Sequence, residues 1–87
     1  MHIVHTLTVG PKDYKYEKAV VAVLFDDSSD TDSPFIASLY PEQPGVRLRN
    51  PVDIAGLVGP DSKFYHYQGS LTTPPCSEVV NWYDVFQ

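Results

Sequence analysis

Residues 67–82 read Tyr-Gln-Gly-Ser-Leu-Thr-Thr-Pro-Pro-Cys-Ser-Glu-Val-Val-Asn-Trp (YQGSLTTPPCSEVVNW), and no other stretch constrains the chain so tightly. Thr72-Thr73-Pro74-Pro75 is a rigid turn: each proline fixes its own φ, and the residue before a proline is pushed to an extended conformation. On one side, residues 64–67 alternate aromatics (FYHY) and read as a strand. On the other, residues 79–86 read as a second strand, rich in Val, Trp, Tyr and Phe.

Upstream, residues 1–9 alternate and are rich in β-branched side chains, which predicts a strand stopped by Gly10 and Pro11. Residues 12–18 are polar and turn-like. Residues 19–25 (AVVAVLF) form a short apolar run whose length and valine content predict a strand buried on both faces. Residues 26–33 (DDSSDTDS) form an acidic, solvated connection; a calcium loop would need a turn glycine and a closing Glu. Ser33 as cap and Pro34 in the first turn, followed by Phe35, Ile36, Leu39 and Tyr40 at helical spacing, predict a short helix that Pro41, Pro44 and Gly45 end. Residues 46–49 (VRLR) fit a short edge strand and residues 51–58 a helical turn. The fold class is therefore mainly β with short helices (α+β). Strands at both termini suggest a piece of a larger sheet, because uncovered edges are pairing hazards.

With 87 residues the chain is one domain at most, and its net charge is −5. The six basic residues are scattered, so no stripe tracks a phosphate backbone and nucleic-acid binding is disfavoured. The longest apolar run is far too short to span a membrane. The opening residues lack the pattern of a signal peptide, so a signal in an exported protein would lie upstream. The single cysteine, Cys76, is either a buried inert thiol or half of a disulfide whose partner lies elsewhere.

His2, His5 and His66 are the only histidines. His2 and His5 are three apart, and on a strand that spacing turns them to opposite faces, so they cannot share one ion. From the residues alone each reads as a hydrogen-bonded structural histidine. No Ser/His/Asp arrangement and no phosphate-cradling glycine loop occurs.

The stretch at 67–82 resembles the α-class carbonic anhydrase signature Y-x-G-S-L-T-T-P-P-C-x-E-x-V-x-W, matching every fixed position. Residues 1–5 (MHIVH) are similar to that family's zinc-ligand strand without its leading Glu. The resemblance implies a partial catalytic domain over 1–87, built on a fragment of the family's central twisted, mostly antiparallel sheet. The extreme C-terminus, two further zinc histidines, a proton-shuttle histidine and a glutamate would lie outside it. Thr6 stands where the family often has a tryptophan.

That resemblance carries specific expectations. The cofactor is Zn2+, with His2 as its one ligand here. Thr72 is catalytic: its hydroxyl accepts a hydrogen bond from the attacking oxygen and passes its own proton to the glutamate. Val4, Val20, Leu71 and Trp82 line an apolar CO2 pocket, with Thr73 on its polar side, and the Pro74–Pro75 bond is cis. His5, Tyr67 and Glu78 are structural. The partners are CO2 and bicarbonate, without nucleic acid or a membrane span in this piece, and the oligomeric state is open. Cys76 matches a position that pairs with an upstream cysteine in secreted members. This implies an extracellular or secretory location, with the cytoplasm as the alternative. Some members lack zinc ligands and act as binding or adhesion modules, which is the alternative function.

Overall fold

The computed structural model describes residues 1–27, 30, 33–39, 44, 45, 47, 48 and 51–86. It divides into two units, residues 1–25 with 62–87, and residues 26–61. The first holds four strands: β1 (His2–Thr6), β2 (Lys18–Val23), β3 (Lys63–Gly69) and β4 (Val80–Phe86). They form one sheet in the order β1-β2-β4-β3. The outer pairs are antiparallel and the central β2–β4 pair is parallel. The mostly β, mostly antiparallel architecture read from the sequence is the one observed.

Strand position explains burial. β2 and β4 have a neighbour on each side and carry the buried residues Val20, Ala22, Val23, Val80, Trp82 and Val85. β1 and β3 are outermost among the described residues and stay largely exposed. The run at 19–25, expected to be buried on both faces, is buried at Val20 and Ala22 on one face and at Val23 on the other, with Ala19 and Val21 half-buried. Leu24 is 78% exposed and Phe25 42%, because pairing stops where Val23 N–H donates to the Met1 carbonyl (2.9 Å) and where Val23 meets Val85. Likewise, the strand expected over 1–9 ends at Thr6, opposite the first residue of β2, with one further bond from Leu7 N–H to the Glu17 carbonyl (2.8 Å).

The second unit holds α1 (Pro34–Ser38) and a 3-10 turn (Ala55–Leu57). Pro34 opens α1 as expected. Ser33 sits extended at the cap position, but its hydroxyl makes no capping bond; the helix starts from its carbonyl, which accepts from Ala37 N–H at 2.9 Å. Asp53 Oδ1 accepts from Gly56 N–H (3.1 Å) and so orders the 3-10 turn. Tyr40, Pro41, Val46, Arg49 and part of the acidic loop lie outside the described residues. The helix ends at Ser38 with Leu39 as its C-cap, short of the expected reach to Leu39 and Tyr40, and of the edge strand expected at 46–49 only Arg47 and Leu48 are described, outside any strand.

Candidate functional site

Residues directly opposite one another in a ladder share a face of the sheet. The register pairs His2 with Ala22, Val4 with Val20, Val20 with Trp82, and Trp82 with Tyr67. One face therefore collects His2, Val4, Val20, Tyr67 and Trp82. His5 pairs with Ala19 on the other face, as strand alternation requires of two histidines three apart. There it lines a cavity of about 320 Å³ with Leu7, Tyr14, Tyr16 and Asn81. His66 is also on that face: it shares a 3.2 Å hydrogen bond with Asn81 and stacks on Tyr83 at 4.7 Å.

Trp82 organises the first face. It is 7% exposed and packs with Val20, Ala22 and Val80, against which Leu71 and Val79 also pack. Its Nε1–H donates to the Ser70 carbonyl at 3.1 Å. The His2 ring meets it edge-to-face, with centroids 4.9 Å apart and planes at 71°. The Tyr67 ring lies nearly parallel to it, centroids 6.4 Å apart. Gly69 makes room for the indole, since a Cβ there would stand 3.1 Å from Trp82 Cδ1.

Residues 70–79 join β3 to β4. Cys76 N–H donates to the Thr73 carbonyl (2.8 Å) across Pro74 and Pro75, whose shared peptide bond is cis, the arrangement of a type VI turn. Cys76 adopts φ 58°, in the left-handed region, and Leu71 N–H donates to the Ser77 carbonyl (2.9 Å), which closes the loop on itself. Thr72 and Thr73 are exposed on it, and Cys76 is an exposed free thiol, so it is not the buried thiol its type suggested. The loop entry at Ser70 and Leu71 and the His2 ring are thus seated on the same indole. His2 and Val4 are open to solvent, whereas Val20 and Trp82 are buried.

A catalytic zinc ion takes three protein ligands in a tetrahedron and keeps one position open. Among the described residues no group of three His, Cys, Asp or Glu side chains could hold a metal. His2 stands as a single imidazole on the Trp82 face, and the described residues by themselves form no three-ligand group.

One residue of this face had escaped sequence reading. Asp84 follows Trp82 by two positions on β4 and faces the same way, opposite Ala22 and Tyr65. Its Oδ2 accepts from the Tyr67 hydroxyl at 3.0 Å. Desolvation, then that hydrogen bond and the charge of Asp84, push the Tyr67 phenol above its ordinary value of 10.0. The available signal was a lone charged residue in a strand otherwise made of apolar and aromatic residues and one asparagine.

These features define a mostly antiparallel β-sheet scaffold with an imidazole and the root of a threonine loop anchored on one face. The chain belongs to the eukaryotic-type carbonic anhydrase family, whose family model matches residues 1–87. A carbonic anhydrase of Klebsiella pneumoniae is 36% identical over 83 residues, covering 92% of this chain and 31% of the relative. One from Neisseria gonorrhoeae is 35% identical over 83 residues, covering 93% and 31%. Dioscorin DB3S of Dioscorea polystachya is 35% identical over 74 residues, covering 76% and 26%. The chain thus spans 31% of the length of those two bacterial relatives. No solved structure matches it. No helix among the described residues is long and apolar enough to cross a membrane.

Proposed function

We propose that the protein hydrates CO2 reversibly to bicarbonate and a proton, and that this chain supplies part of the site within a larger catalytic domain. The observation that supports this reading is the shared anchorage of His2 and residues 70–71 on Trp82. In this family zinc activates water for attack on CO2, and the family is itself the standard illustration of that effect. His2 offers the ion a neutral imidazole; the remaining ligands come from outside the described residues. Thr72 accepts a hydrogen bond from the attacking oxygen and aims its lone pair at CO2, an orientation that the fixed φ of Pro74 and Pro75 helps to hold in advance. Val4, Val20, Leu71 and Trp82 form apolar wall, which suits a substrate that donates no hydrogen bond, and Thr73 borders it. Cys76, which is exposed, is read as the partner of a cysteine outside this chain, a pairing that would suit an oxidising compartment, with the cytoplasm as the alternative.

The test is stopped-flow CO2 hydration. Thr72→Ala lowers kcat/KM by roughly 100-fold, the scale of losing one preorganised polar contact. The 87-residue chain alone binds zinc weakly and hydrates CO2 little. Tight single-site zinc binding with fast hydration by that chain would contradict this division of the site.

A second reading is a binding module of the same family without catalysis. It is favoured by the similarity to dioscorin. Metal analysis of the purified full-length protein separates the two, since the module would carry no stoichiometric zinc.

A further inference from the structure

Asp84 is out of place by strand chemistry. Aspartate is among the residues least suited to strands, and β4 is a central strand whose neighbours Val80, Trp82 and Val85 are buried. A local rule broken on the face that carries a candidate site points to a task for the residue. Its surroundings supply one. Ala22, beside it on β2, is small and leaves the carboxylate room. Tyr67 reaches diagonally from β3 to donate its hydroxyl to Asp84 Oδ2 at 3.0 Å. The same Tyr67 ring lies 14° from parallel to Trp82. Trp82 in turn holds the Ser70 carbonyl and the edge of the His2 ring.

We propose that Asp84 is a positioning residue: by fixing the Tyr67 ring against Trp82, it sets the orientation of the indole that seats both the His2 imidazole and the entry to the threonine loop. Tyr67 is 48% exposed, so its packing against the described residues by itself leaves the ring room to swing away from Trp82. A charge-assisted hydrogen bond to a central strand restricts that motion, because such bonds are stronger than neutral ones. Gly69, lacking a Cβ that would stand 3.1 Å from it, leaves the indole room, and Tyr67 with Asp84 limits it from the β3 side. The consequence for catalysis rests on the proposed function; the clamp itself does not.

Trp82 is the only tryptophan of these 87 residues, and in the 15N-labelled full-length protein its indole N–H resonance is identified by its loss in Trp82→Phe. Asp84→Ala and Tyr67→Phe should each speed indole hydrogen exchange roughly tenfold, the scale of one lost hydrogen bond. Both should also shift the His2 ring protons in the same direction, measured well below the melting transition. Asp84→Asn, which keeps an acceptor, should stay near the native values, and the double variant should go no further than either single one. Unchanged indole exchange and His2 shifts in Tyr67→Phe, which removes one oxygen atom and is the arm to read where Asp84→Ala fails to fold, would overturn the proposal. So would additive effects in the double variant. Absence of CO2 hydration by the native full-length protein would overturn the proposed function while leaving these resonances as they are, so the two failures are distinguishable.

Discussion

Replacing Trp82 by phenylalanine tests whether one side chain carries the face. The substitution removes the 3.1 Å bond to the Ser70 carbonyl, a loss of about 1 kcal/mol. It also removes apolar surface. Aromatic side chains bury 150–250 Å² each, so the Trp–Phe difference is roughly 50 Å², or about 1 kcal/mol at 25 cal/mol per Å². Weakened ring contacts to His2 and Tyr67 add roughly 0.5 kcal/mol. The sum is about 2.5 kcal/mol. An 87-residue chain at about 0.05–0.15 kcal/mol per residue holds roughly 4–13 kcal/mol, so a large part of its stability is at stake. The assay is urea denaturation followed by far-ultraviolet circular dichroism, since the variant has no tryptophan to fluoresce. A loss below about 0.5 kcal/mol with an unchanged m-value would show that the indole is not the anchor described here.

Two further outcomes follow from the same contacts. Val80 is fully buried at the base of the loop, and Val80→Ala should cost about 2–3 kcal/mol by lost transfer energy and the cavity left behind; a cost under about 1 kcal/mol in the same assay would mean that the site collapses. Tyr67 has a folded-state pKa raised above its unfolded value, so the stability it contributes is complete below about pH 10 and is lost as pH rises through the raised value. The stability gap between native protein and Tyr67→Phe should therefore narrow as the pH rises above about 10. A gap constant across that range would exclude the link between phenol and carboxylate.

Much of the fold was legible because its signals are local. β-branched runs mark β1 and β2, aromatic alternation marks β3, and the prolines of residues 72–75 fix the turn between β3 and β4. The opposed directions of His2 and His5 follow from the two-residue period of a strand alone. The ends of elements were less legible. Leu24 and Phe25 look like core, yet they lie past the last paired residue and stay exposed, since burial depends on a partner strand that sequence alone does not position. The clamp at Asp84 was invisible for the same reason. Tyr67 and Asp84 are seventeen residues apart, and only the β3–β4 register brings them within 3.0 Å.

By itself, the amino-acid order determined the family, the strand-forming segments and the side of β1 on which each histidine stands, because those depend on chemistry within a few neighbouring residues. The tertiary structure alone decided that β2 lies parallel to β4, that one indole serves both an imidazole on β1 and a loop after β3, and that a carboxylate on β4 holds the ring beside it. Those are pairings between distant segments, and the loop-closure entropy they cost is repaid only by the assembled sheet.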